Sequence, residues 1–239
     1  MNMLGSTVRQ TWHRIGESDC EELIDGLLAQ PVNALSSFSY VVVGLIIAIW
    51  AVRRDIRPRE SVVYAVCLMA IGLGSVAFHG PQPVGSRVLH DLPILVTALF
   101  IVVHDAAILF PRFRHGPAVF AATIVAAAGL AWWSLDAVAA ATGVLAGAIA
   151  VAEFVIYRRR LRPGSSRHQR TIAIAIIVVT AVAATTWLLG RTDGPTCDPD
   201  SLIQYHGLWH VISAAVFGMW WWLALGRRDA QNQPVETGS

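Results

Sequence analysis

The chain has 239 residues, 55% of them hydrophobic and 14% charged, with a mean hydropathy of +0.54 and a formal net charge of +2. That apolar excess lies outside the composition of a water-soluble domain, and so small a net charge offers nothing to nucleic acid. An integral membrane protein is the class left.

Seven apolar runs are long enough to cross about 30 Å of hydrocarbon, and they predict an all-α fold, a seven-helix transmembrane bundle. Residues 1–31 come first as a polar, acidic tail, with Glu17, Asp19, Glu21, Glu22 and Asp25 against Arg9 and Arg14. It lacks the charged-then-apolar layout of a signal peptide and is expected to be retained and folded. The spans follow at 33–52, 62–79, 90–110, 117–133, 137–157, 171–190 and 206–226. Span two closes on "GSVAFHG", span three opens on "LHDLP", and span seven opens on "YHGLWH". Spans four and five carry "AATIVAAAG" and "AAATGVLAGAIAVA", small residues that allow close helix packing. Residues 227–239 are expected to be a disordered cytoplasmic tail. Short connections and the absence of an internal repeat make 1–239 one membrane domain, with its seven helices in 33–226.

All 18 basic side chains are arginine. Fourteen of them (Arg53, Arg54, Arg57, Arg59, Arg112, Arg114, Arg158, Arg159, Arg160, Arg162, Arg167, Arg170, Arg227 and Arg228) fall in the loops after spans one, three and five and in the C-terminal tail. Only Arg9, Arg14, Arg87 and Arg191 fall on the other side. The excess of positive charge on cytoplasmic loops predicts an extracytoplasmic N-terminus and a cytoplasmic C-terminus. The run "RRRLRPGSSRHQR" then reads as a cytoplasmic loop touching anionic headgroups.

With that topology, Ser75, His79, His90, Asp91, His206 and His210 all lie at one membrane level, near the extracytoplasmic face, although none of them entered the charge count. Ionisable residues inside spans are costly and mark function. Ser75 and His79 are spaced i, i+4, as are His206 and His210, so each pair projects from one face of its helix. Three histidines and a water make the open tetrahedral set of a catalytic Zn2+ site. Asp91 is placed to handle that water's proton, and Ser75 to donate a hydrogen bond to an oxyanion. Each residue also has a plain structural reading. His-x-x-x-His arises readily by chance in a chain with eight histidines, Asp91 two residues before Pro93 suits a helix N-cap, and Ser75 can bond a carbonyl of its own helix. Convergence on three helices at one depth favours the metal site.

Other polar and aromatic residues read as structural. His104 and Asp105 lie about four turns below His90 and are expected at the cytoplasmic interface, while Glu153 is expected to pair with the arginines that follow it. Trp132, Trp133, Trp187, Trp220, Trp221 and Trp222 cluster near span ends like an aromatic belt. His13, His115 and His168 are in loops, and Cys67 is mid-span and inert. Cys20 and Cys197 both fall on the outer side, where they are either disulfide-bonded or free.

These motifs resemble the alkaline ceramidase family: "CEE" at Cys20, "QPVNALSSFSYVVVG" opening span one, "SVAFH", "HDLP" and "HGLWH". That family belongs to a wider superfamily of seven-helix membrane hydrolases that includes the adiponectin and progestin receptors. The resemblance implies a zinc amidase cleaving ceramide to a sphingoid base and a fatty acid, with His79, His206 and His210 as ligands and Ser75 beside them. It also implies a tail-to-loop disulfide between Cys20 and Cys197. Two departures stand out. Where the family has its span-three aspartate this chain has His90, with Asp91 next to it; Asp91 is expected to take the acidic role after a slight helix rotation, with His90 as an extra ligand or base. Animal members bind calcium through tail acids, of which Glu21 is matched here, but Gln30 stands where another acid is expected, so calcium is not predicted.

The leading reading is therefore a zinc-dependent amidohydrolase in the bilayer, acting on ceramide or a related N-acyl lipid. The alternatives are a lipid receptor or sensor with a structural zinc, and a transporter relaying protons through histidines. The second alternative predicts polar residues at several depths rather than at one.

Overall fold

The computed structural model describes residues 16–112, 117–159 and 167–226. Arg9, Arg14, His13, Arg114, His115, Arg160, Arg162, Arg227, Arg228 and the expected disordered tail lie outside the described residues. Within them the fold is all-α, without strands, and its seven long helices correspond one for one to the predicted spans. A short turn of helix, Pro31–Ser36, continues through Ser37 into Phe38–Arg54, together α1 (Pro31–Arg54). The others are α2 (Pro58–His79), α3 (Ser86–Leu109), α4 (Pro117–Trp133), α5 (Leu135–Arg159), α6 (Arg167–Leu189) and α7 (Tyr205–Ala224). By length and apolarity all but α4 suffice to cross a membrane, and α4 is shorter. The chain is a multi-pass membrane protein.

Local chemistry sets the helix ends. Asp55 and Arg57 take left-handed backbone conformations, which turn the chain after α1, and Pro58 follows at the start of α2, where its missing N–H is not needed. α3 begins at Ser86, after left-handed Gly85. Asp91 thus sits inside the second turn of α3, not at its N-cap, and that expectation is corrected. Pro93 is also internal to α3. It leaves the Leu89 carbonyl without its helical donor, and Gly74 of α2 lies against that carbonyl. A Cβ at Gly74 would come 1.8 Å from the Leu89 oxygen, so only glycine lets α2 and α3 meet here. That close approach brings the end of α2, with His79, beside the start of α3, with His90.

The main core lies among α1, α2, α3 and α7, around Tyr40, Tyr64, Leu68, Ile71, Ile101 and Trp220. α3 packs on α5 and α6 on α7, while α5 and α6 expose most of their apolar surface, as lipid-facing helices should. Trp220 and Trp221 belong to the core, each 4% exposed. They correct the aromatic-belt reading for these two, whereas Trp132, Trp133, Trp187 and Trp222 are exposed. Trp221 donates to Ser61 Oγ at 3.0 Å and Trp220 to Glu153 Oε1 at 2.7 Å. His104 and Asp105 are buried as well, with the His104 ring edge-on to Trp220 at 5.5 Å.

Residues 16–30 form a strap across the end of the bundle where α2 ends and α7 begins. Asp19 pairs with Arg191 in an isolated antiparallel bridge. Cys20 N–H donates to Gly190 O at 2.9 Å, and Thr192 N–H to Ser18 O at 3.1 Å. A disulfide joins Cys20 to Cys197, with Cα atoms 5.4 Å apart. Cys67 is a buried free thiol.

Candidate metal centre

Three of the predicted residues meet where the strap covers the bundle. His79, from the last turn of α2, has its ring centroid 5.1 Å from that of His206 and 5.2 Å from that of His210, and the latter two are 4.6 Å apart on α7. All three are buried, and one ring nitrogen from each lies within 4.8 Å of the others, so the group could hold a metal ion. The i, i+4 spacing on α7 supplies two of them from one helical face. Gly190, just after α6, makes room for the start of α7: a Cβ there would lie 2.5 Å from the His206 backbone nitrogen.

Each Nδ1 faces an acceptor. His79 Nδ1 lies 2.7 Å from Gln30 Oε1. His210 Nδ1 lies 3.1 Å from the Asn33 carbonyl and within reach of the Ser36 and Ser37 hydroxyls, at 3.0 and 3.2 Å. His206 Nδ1 is 3.3 Å from the Asp19 carboxylate, which Arg191 also approaches at 3.7 Å. An amide oxygen and a carbonyl accept but do not donate, so the partners of His79 and His210 favour a proton on Nδ1 and a lone pair on Nε2; His206 Nδ1 makes no hydrogen bond with the carboxylate beside it. The Nε2 of His79 and both ring nitrogens of His206 are buried and have no hydrogen-bond partner. An unpaired buried acceptor costs about 1–3 kcal/mol. Such atoms on two members of one histidine cluster fit a bound metal, and the bonds behind His79 and His210 fit the pattern of metal-ligating histidines.

Ser75 is buried one turn before His79, and its Oγ is 2.8 Å from Ser37 Oγ. Ser37 in turn donates to the Asn33 carbonyl at 2.7 Å, so Ser75 reaches the back of His210 through one hydroxyl rather than bonding a carbonyl of its own helix. His90 stands at the edge of the cluster, its ring 6.0 Å from that of His79 and tilted against Phe78 at 4.6 Å. Asp91 is turned toward His90 rather than toward the three histidines. Its Oδ1 accepts from His90 Nδ1 at 2.7 Å, and its Oδ2 is 3.4 Å from Arg87 Nε.

The sequence did not pair the outer partners with the histidines, although Gln30 stood out as replacing an expected acid. Asp19 and Gln30 lie in the tail, where no periodicity points at a partner. Asn33, Ser36 and Ser37 did leave a signal, three polar residues along one side of an otherwise apolar span. Glu21, matched in sequence to a calcium ligand, caps α1 here: its two carboxylate oxygens accept from Val32 N–H at 2.7 Å and Asn33 N–H at 2.8 Å. Burial pushes its carboxyl above the ordinary range, against the pull of those two bonds.

A cavity of about 600 Å³ runs down the bundle from Trp209 and Ser213, which flank His210 in the chain, to Glu153, Tyr157 and Arg170 at the far end. Its walls are mainly apolar side chains of α3, α5, α6 and α7.

Comparison with known proteins supplies the rest. A model of the family described as Ceramidase matches residues 20–237. No match is found among curated proteins.

Proposed function

This chain belongs to the ceramidase family, whose members hydrolyse lipid amides such as ceramide, and from that premise we propose that it is a zinc-dependent amidohydrolase with its metal held by His79, His206 and His210. The observation that carries the reading is the pair of buried, unpartnered Nε2 atoms on His79 and His206 in a three-histidine cluster. When bound, zinc supplies Lewis acidity toward the amide carbonyl and lowers the pKa of water toward about 7.

The chain's own residues do the remaining work. Asp91 holds His90 through Nδ1, which leaves His90 Nε2 as the atom that takes a proton from the attacking water and delivers it to the leaving amine nitrogen. In this division Asp91 orients and stabilises the imidazolium, and His90 occupies the place of the family's aspartate. Ser75, on its hydroxyl relay behind the cluster, turns to donate to the oxyanion of the tetrahedral intermediate. Water adds to the amide carbon, the C–N bond breaks, and a long-chain base and a fatty acid result. The apolar cavity below the cluster takes an alkyl chain while the amide stays at the level of the histidines. On the arginine count the N-terminus is extracytoplasmic, the C-terminus cytoplasmic and the site near the outer face. The whole of 1–239 works as one membrane domain.

Zinc analysis of detergent-purified protein, wild type beside His206→Ala, tests this. About one zinc per chain, lost in the variant, is the expected result. Metal-replete wild type without zinc would remove the hydrolase mechanism along with its site.

A further inference from the structure

We infer that Gln30 is a positioning residue for the metal centre, fixing the tautomer and orientation of His79 from behind. The inference rests on the zinc reading above and extends it to a residue outside the histidine cluster.

Gln30 is fully buried and spends every polar atom of its side chain. Its Nε2 donates to Gly16 O at 3.0 Å and to Glu21 O at 2.7 Å, while Oε1 lies 2.7 Å from His79 Nδ1. The two ends of an amide are hard to tell apart by shape, and the network assigns them. Two backbone carbonyls can only accept, so the NH2 must face them. The oxygen that faces His79 can also only accept, so His79 Nδ1 must carry the proton. In the neutral ring that leaves Nε2 bare, and Nε2 is the buried atom without a partner. The backbone repeats the tie: Gln30 N–H donates to the His79 carbonyl at 2.7 Å, and Ala29 N–H to the Gly80 carbonyl at 3.1 Å. Gly16 and Glu21 belong to the strap, so the strap's own fold sets where the amide points, and the amide sets the ring.

A merely structural glutamine, a satisfied plug under the strap, would affect melting and nothing else. Two substitutions separate the roles. Gln30→Met keeps similar bulk but offers no acceptor to Nδ1. Gln30→Glu keeps an acceptor there while losing both donors to the strap and burying a charge. Zinc affinity of detergent-purified protein is measured by competition with a chromophoric chelator, alongside thermal melting. Met is expected to weaken zinc binding by about 10–100-fold, whereas Glu stays within a few-fold of wild type although it melts lower. Affinity and stability thus move in different orders across the two variants. Wild-type affinity in Met, or a tenfold loss in Glu, overturns the inference, and the Glu arm decides alone if Met fails to fold. Should wild type take up no zinc at all, the metal reading itself falls. That result is distinct from a wild type that binds zinc beside a Met variant that binds it equally well.

Discussion

An imidazole that leaves water must replace the hydrogen bonds of both ring nitrogens; His79 and His210 each replace one with an acceptor behind the ring, while His206 replaces neither, its Nδ1 meeting the Asp19 carboxylate at 3.3 Å without a hydrogen bond. The buried nitrogens left without a partner on His79 and His206 are ones that a metal ion or a proton would satisfy. His90 differs: it is partly exposed, with one nitrogen against Asp91 and the ring beside His79. A group that must move protons needs that access to water, and a buried ligand does not. The division of labour is testable, since two residues acting as one unit are not additive. His90→Ala and Asp91→Asn should each lower kcat on a ceramide substrate by about 10²–10⁴, and the double variant should be no worse than the poorer single. Zinc content should hold in all three. Full activity in His90→Ala beside a dead Asp91→Asn would mean that the carboxylate acts directly, as the sequence alone suggested.

Helices reach this arrangement through two close approaches, Gly74 on Leu89 and Gly190 on His206. The second bears on the metal centre, because the clashing atom is backbone at the first turn of α7 and cannot rotate away. Gly190→Ala should lower the melting temperature by an amount corresponding to about 1–3 kcal/mol and reduce zinc occupancy. Gly147→Ala on α5, where a Cβ meets nothing within 4 Å, should be neutral or slightly stabilising. Equal effects at both positions would assign the loss to general helix chemistry. The same two approaches explain what could be read in the sequence beforehand. Seven spans were legible because each is a long apolar run, and the histidine trio because i, i+4 spacing and the charge count are local properties. Gln30 and Asp19 act on partners 49 and 187 positions away, distances across which a single sequence carries no signal. Pro93 misled the reading of Asp91: proline favours a helix start, but at this position the helix had already begun at Ser86, and Gly74 accommodates the carbonyl that the proline leaves unbonded.

The molecule as a whole separates its chemistry from its charge. Most of the described arginines follow the ends of α1, α3 and α5 or open α6, at one end of the bundle, and the three-histidine cluster sits at the other under a disulfide-tied strap. Between them lies the cavity, within the 300–1,000 Å³ range of small-ligand pockets. From Ser213 to Leu223 its wall on α7 covers ten residue steps, about 15 Å at the helical rise. An extended chain advances about 1.2 Å per bond, a third of the ~3.5 Å per residue of extended backbone, so this wall matches roughly a dozen carbons. If the cavity seats an alkyl chain while the amide stays with the histidines, narrowing it should discriminate by chain length and leave the metal alone. Ala98 lines the cavity from α3, two turns beyond His90. Ala98→Phe should lower kcat/KM for long-chain N-acyl substrates at least tenfold, about 1.4 kcal/mol, while short-chain substrates lose little and zinc content is unchanged. A loss uniform across chain lengths would instead place the chain outside the bundle, along the lipid-facing surface of α5 and α6, and the cavity would then serve packing rather than substrate.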